Sequence, residues 1–216
     1  HGFSSSALAA TAKQIATLNK AGVEVGIVVG GGNFWRGREG DEMDRTSADY
    51  MGMLATVINA LALSDALDRQ GVDNRVMTAL AIDKIGEPYN VKTAKRYLSE
   101  GKVVVFGGGT GSPFFTTDTG ASLKACEIQA EVLLLAKNID GIYDSDPKTN
   151  PNAKKFDTLT YDEYVEKGLR ALDTSAVVMC KENGLKIHAF GNLDENSIVN
   201  AVFAESDGTV VYYPRH

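Results

Sequence analysis

The chain has 216 residues, with 22 Lys+Arg against 28 Asp+Glu and a formal charge of −6. A composition of 44% hydrophobic and 23% charged residues, with only 5 Pro, is that of an ordinary globular protein able to bury roughly 70% of its unfolded surface. The acidic balance and the lack of any Lys/Arg run argue against general nucleic-acid or anionic-membrane binding, and no uninterrupted apolar run approaches the roughly 20 residues that cross a bilayer.

In chain order, Ser4 to Lys20 has apolar residues at helical spacing and Gly22 just beyond, so it reads as a helix feeding a strand, Val23–Val29. That strand runs into Gly30-Gly-Gly-Asn33. Tyr50, Met53, Leu54, Val57 and Leu61 mark the apolar face of a second helix, closed by Gly71 and followed by a strand from Asn74 to Leu80. The alternation repeats with helix Val91–Ser99, strand Lys102–Phe106, helix Thr117–Gln129 and strand Glu131–Ala136. Beyond a turn-rich stretch, Thr160-Tyr-Asp-Glu163 is a capping box that opens a short helix. A helix over Asp173–Asn183, a strand over Lys186–Phe190, a helix over Asp194–Glu205 and a strand over Gly208–Tyr213 complete the chain. Short apolar strands alternating with helices predict an α/β fold with a mainly parallel sheet. The turn-rich stretch suggests lobes over 1–136 and 137–216, built on one continuous sheet and best treated as a single domain.

Three turns carry the candidate chemistry, because loops at the carboxyl ends of parallel strands are where open sheets bind ligands. In Gly30-Gly-Gly-Asn-Phe-Trp-Arg-Gly37, glycine amides can approach phosphate oxygens and Arg36 can add a bidentate contact; a tight turn with a surface arginine would use the same residues. Gly107-Gly-Gly-Thr-Gly-Ser-Pro-Phe-Phe-Thr-Thr-Asp118 gathers hydroxyls, two aromatic rings and a carboxylate, although Thr117 or Asp118 also fits a plain helix N-cap. Lys137-Asn-Ile-Asp-Gly-Ile-Tyr-Asp-Ser-Asp-Pro147 offers carboxylates beside Tyr143 for a ribose or Mg²⁺, or forms a solvated Asp/Pro turn. No G-x-x-x-x-G-K-[ST], complete G-x-G-x-x-G or G-x-S-x-G occurs, which disfavours P-loop NTPases, Rossmann dehydrogenases and serine hydrolases. His1, His188 and His216 are scattered, and Cys126 and Cys180 lie in apolar segments without C-x-x-C spacing. They read as reduced core thiols, and no transition-metal site is expected.

Val28-Val-Gly-Gly-Gly-Asn-Phe-Trp-Arg-Gly37, Ala48-Asp-Tyr-Met-Gly-Met-Leu-Ala-Thr56, Gly109-Thr-Gly-Ser-Pro-Phe-Phe-Thr-Thr-Asp118 and Asp140-Gly-Ile-Tyr-Asp-Ser-Asp-Pro147 resemble, in order and spacing, the bacterial uridylate (UMP) kinases of the amino acid kinase superfamily. The resemblance implies a three-layer αβα sandwich that transfers the γ-phosphoryl group of Mg-ATP to UMP in pyrimidine nucleotide biosynthesis. It implies that Arg36 and Asp118 are catalytic, and that UMP is held by Gly31, Asp49 and the loop Thr110, Gly111, Ser112, Pro113, Phe114, Phe115, Thr116 and Thr117. Asp49 would take the ribose hydroxyls. ATP would be held by Gly32, Arg36, Asn138, Tyr143 and Asp146, with Mg²⁺ arriving on ATP and no dedicated protein metal site. Asp173, ahead of the following helix, would support the site through another group or serve as a plain helix N-cap.

The resemblance further implies a cytoplasmic homohexamer with GTP or UTP as effector. One departure stands out: the family's Lys-x-Ser-Gly, whose lysine meets the ATP phosphates, occurs nowhere in these residues, and the chain is read as beginning after it. That departure keeps open a non-catalytic nucleotide- or anion-binding relative of the same fold. An amino acid kinase acting on a carboxylate or carbamate is the other alternative.

Overall fold

The computed structural model describes residues 2, 4–35, 43–191, 194–204 and 208–214. The order of elements is α1 (Ser5–Lys20), β1 (Gly26–Val28), α2 (Arg45–Arg69), β2 (Asn74–Thr78), β3 (Glu87–Pro88), α3 (Val91–Ser99), β4 (Val103–Gly107), α4 (Thr117–Ile128), β5 (Val132–Lys137), β6 (Ile142–Tyr143), β7 (Lys155–Phe156), β8 (Thr158–Thr160), α5 (Tyr161–Glu166), α6 (Thr174–Glu182), β9 (Lys186–Gly191), α7 (Ser197–Phe203) and β10 (Thr209–Tyr212). The chain divides into two compact units, residues 1–120 and 121–216, with the boundary inside α4 and not in the turn-rich stretch after Ala136.

In the first unit all strands are parallel, in the order β1-β4-β2-β3, with Val28 beside Phe106 and Thr78 beside Gly107. Strand β4 is buried throughout, Val103 to Val105 having no exposed surface, which is why it reads as an unbroken apolar run. Helix α1 starts where Ser4 accepts a hydrogen bond from the Ala7 amide at 3.2 Å. Helix α2 starts a turn and more before Tyr50, because the Asp44 carboxylate caps it through the Ser47 amide at 2.9 Å.

The apolar residues of α2 divide into two stripes. Met53, Val57, Ala60, Leu63 and Leu67 are buried, whereas Tyr50, Met51, Leu54, Ile58 and Leu61 are exposed. The single apolar face expected from the sequence is thus two faces. By length and composition alone α2 is long and apolar enough to cross a membrane, an 18-residue stretch of it having a mean hydropathy of 1.4, but 44% of that stretch is buried inside the protein. Ser, Asn and Asp punctuate the helix, so its sequence contains no long uninterrupted apolar run. Its buried stripe backs the sheet: a Cβ added at Gly107 of β4 would lie 3.3 Å from Val57 Cα.

In the second unit β5, β9, β10 and β8 pair in that order. Strands β5 and β9 are parallel, as are β10 and β8, while β9 and β10 are antiparallel. Strands β6 and β7 form a separate antiparallel ribbon. The core here is Ile142, Leu159, Tyr161, Val177, Ile187 and Val211. The expected capping box is present, Thr160 and Glu163 each bonding the other's backbone amide at 3.1 and 2.7 Å. Cys126 and Cys180 are both free thiols, with Cys180 fully buried.

Candidate functional site

Because β1 and β4 are parallel neighbours, the glycine turns that follow them leave the sheet at the same, carboxyl end of the strands. They converge there: a Cβ on Gly30 would meet Thr117 Oγ1 at 3.8 Å. Between them is a cavity of about 290 Å³, close to the lower limit of ~300–1,000 Å³ usual for small-molecule sites. From the first turn Gly31 and Gly32 line it, and from α2 Asp49. The second loop contributes Thr110, Ser112 and the run Phe115 to Thr117.

Gly31 has a strict reason to be glycine. A Cβ there would sit 2.8 Å from Gly52 O and 2.9 Å from Ala55 Cβ, so the turn lies directly on the α2 backbone. The Gly31 carbonyl accepts from the Phe34 and Trp35 amides, both at 3.0 Å, and Trp35 Nε1 donates to Ala48 O at 2.9 Å. Turn and helix are therefore tied at several points.

Asp49 reaches the second loop. Its Oδ2 accepts a hydrogen bond from the Phe114 amide at 2.8 Å and lies 3.7 Å from Arg45 Nε. Phe114 has φ +71°, a conformation that costs a non-glycine residue about 1–3 kcal/mol, and its exposed ring lies 5.1 Å from the Arg45 guanidinium carbon. Both contacts run to Oδ2, so Oδ1 faces no described partner and can accept from hydroxyl groups. Within the loop, Thr110 Oγ1 donates to Ser112 O and accepts from Ser112 N, and the Gly111 amide donates to Gly108 O at 2.9 Å. Gly111 and Pro113 shape this loop from outside the cavity lining.

The N-cap of α4 is Thr116, whose Oγ1 accepts from the Thr119 amide at 3.3 Å. This corrects the alternative that Thr117 or Asp118 caps that helix. Thr117 then faces the cavity, and Asp118, half-buried, sits in the first helical turn. Helix N-termini favour anions through unpaired amides and the macrodipole. Arg36 lies outside the described residues.

The predicted ATP residues lie in the second unit. Asn138 is exposed at the end of β5. The Tyr143 hydroxyl donates to Asp140 Oδ1 at 2.7 Å, and Lys155 Nζ donates to Asp140 Oδ2 at 3.1 Å. Together these hold the Asp140 carboxyl below its ordinary range, the tyrosine contributing most, and the same bond raises the Tyr143 phenol. Asp146 Oδ1 accepts from the Lys148 amide at 2.9 Å, forming the Asx turn that the composition suggested. Asp173 stands at the N-cap position of α6 without a side-chain capping bond.

Among the described residues no group of three His, Cys, Asp or Glu side chains is arranged to hold a metal. A nucleotide-borne Mg²⁺ needs none, since it keeps several waters and takes one or two carboxylates beside the phosphates. No role at the site was expected for Trp35, Met53 or Thr56, yet they also line the cavity. The signal for Thr56 was a lone hydroxyl within a buried apolar stripe.

The model of the amino acid kinase family matches residues 2–191. The crystal structure of UMP kinase from Bacillus anthracis is similar at a TM-score of 0.95 and 34% identity, covering 99% of this chain and 89% of that one. UMP kinase from Ureaplasma parvum is similar at a TM-score of 0.90 and 38% identity, with coverage of 95% and 88%. Uridylate kinase from Archaeoglobus fulgidus is similar at 0.76 and 30% identity, with coverage of 96% and 93%. With its α/β fold, its mainly parallel strands and a family match over most of its length, the chain belongs to the amino acid kinase family.

Proposed function

We propose that the chain is a UMP kinase that transfers the γ-phosphoryl group of Mg-ATP to UMP, giving UDP and ADP. The observation that carries this reading is the cavity in which the Gly30 turn, Asp49 and the Thr110–Thr117 loop meet, in a chain similar throughout to UMP kinases.

Phosphoryl transfer asks a protein for in-line positioning and neutralised charge more than for covalent chemistry. Gly31 and Gly32 bring backbone against the transferring phosphates, and Arg36 supplies a fork of donors to their oxygens. Asp49 Oδ1 accepts from the ribose hydroxyls of UMP while Oδ2 keeps the loop tip in place. Thr110 and Thr117 read the nucleotide's polar edge, and Phe115 packs on its apolar surface. Asp118 organises the transfer site from the first turn of α4. When bound with ATP, Mg²⁺ would supply neutralisation of the charge on the transferring phosphoryl group. ATP is assigned to residues 137–216, with Asn138, Tyr143 and Asp146 on its nucleoside, and UMP to residues 1–136.

The exposed stripe Tyr50, Met51, Leu54, Ile58 and Leu61 supports assembly into a homohexamer through α2. Two free cysteines suit a reducing, cytoplasmic setting. GTP or UTP as effector rests on family likeness alone. Supplying labelled ATP with UMP, CMP, dUMP and small carboxylate acceptors tests the substrate. Label should appear on UMP first, and preferential labelling of a carboxylate would overturn the assignment.

A further inference from the structure

We propose that Thr56 and Asn59, nearly one turn apart on α2, are positioning residues that hold the two glycine turns in register for phosphoryl transfer; the inference rests on the UMP kinase reading. Thr56 is buried, and its hydroxyl donates to Met53 O at 2.6 Å. With its one proton used there, Oγ1 presents a lone pair to the Gly108 amide, which donates to it at 2.7 Å. Gly108 has φ +83°, and a Cβ there would lie 3.2 Å from the Ala79 and Leu80 amide nitrogens, so the turn has little room to settle differently.

Asn59 does the same for the other turn. Its Nδ2 donates to Gly30 O at 2.6 Å and to Asn33 Oδ1 at 2.6 Å, and Asn33 Nδ2 donates back to Asn59 Oδ1 at 3.0 Å. The Gly30 carbonyl fixes the orientation of the amide, because the flipped form would set oxygen against oxygen.

Residues i and i+3 lie on one face of a helix, so a single rigid element fixes the spacing between the turn that carries Gly31 and Gly32 and the turn that leads to Thr110. Reacting groups misplaced by about 1 Å lose about 10²-fold in rate, and this spacing is what a transfer reaction requires. Neither side chain reaches the reacting atoms in this role. Each acts through the backbone it holds.

The test compares Thr56→Val, Thr56→Ser and Asn59→Leu with the parent protein by steady-state kinetics and amide hydrogen exchange. Thr56→Val and Asn59→Leu should lower kcat by about tenfold or more with the KM for ATP nearly unchanged, and Thr56→Ser should recover most of the loss. Exchange should quicken around Gly108 in Thr56→Val and around Gly30 in Asn59→Leu, and not across the first unit. Unchanged exchange and kcat in both variants, beside normal parent turnover, would overturn the brace alone. Exchange quickened throughout the first unit, without rescue by serine, would reduce both residues to packing and overturn it too. Local exchange changes in the variants, with no UMP-dependent turnover by the parent either as given or extended by the Lys-x-Ser-Gly strand, would overturn the kinase reading while upholding the brace.

Discussion

Asp49 Oδ2 accepts a hydrogen bond from the Phe114 amide at 2.8 Å, joining the first turn of α2 to the tip of a loop 65 residues away in sequence. The bond accompanies the left-handed conformation of Phe114 and, with the Arg45 contact also on Oδ2, leaves Oδ1 for the ribose hydroxyls of the proposed reading. Asp49→Asn separates the two roles, because an asparagine oxygen still accepts from Phe114 while the charge offered to ribose hydroxyls is lost. UMP binding should weaken by about tenfold or more, and ATP binding by much less, in calorimetric titrations. Equal losses for both nucleotides would show that Asp49 only shapes the loop.

Gly31→Ala places a methyl group 2.8 Å from Gly52 O and 2.9 Å from Ala55 Cβ. The turn must then lift from α2. We expect a stability loss of about 1–3 kcal/mol by urea unfolding, together with loss of UMP-dependent turnover. A variant of parental stability and activity would mean that the close approach is absent in solution.

Arg36→Ala should lower turnover by about an order of magnitude or more if the guanidinium contacts transferring phosphate. Stability should change little. Near-normal turnover would make Arg36 a surface residue of the Gly30 turn.

The second unit carries an acid-sensitive contact. Asp140 has its carboxyl held below the ordinary 3.8 by the Tyr143 hydroxyl and Lys155. Stabilisation of this sign is fully present above the unfolded value and disappears as pH falls through the lower folded value. The difference in unfolding free energy between the parent and Asp140→Asn should therefore be constant near about pH 6 and shrink towards about pH 3. A difference that grows on acidification would contradict the assignment.

Cys180 is fully buried, and burial pushes its thiol up to about 11; burial also raises Cys126. Thiolate is the reactive form, so in the native protein at about pH 7.5 iodoacetamide should leave Cys180 unmodified and react slowly with Cys126. Both should react in urea. Rapid native labelling of Cys180, read by mass spectrometry, would contradict its burial.

The α/β alternation was legible because β4 and β5 are apolar runs and because Thr160 opens the expected capping box, while the caps at Ser4 and Asn90 emerged only in the structure. Strands β3, β6 and β7 were not, since two residues carry no period. The glycine turns and Asp49 could be read from motif and spacing, and the structure gathers them around one cavity at the carboxyl ends of β1 and β4. The Thr56–Gly108 and Asn59–Gly30 bonds could not, because their partners stand 52 and 29 residues apart and only the parallel pairing of β1 with β4 brings them to one helix. The two stripes of α2 were merged in the sequence reading because both are apolar; which of them faces the sheet depends on where Gly107 and Gly31 touch the helix.

The most direct measurement is ADP release from Mg-ATP with and without UMP, made on this 216-residue chain and on one extended at its N-terminus by a strand ending in Lys-x-Ser-Gly. The account predicts release that depends on UMP, fastest in the extended form, whose added lysine the resemblance to uridylate kinases would set on the ATP phosphates. ADP release indifferent to UMP in both forms, with both folded and binding ATP, would contradict it.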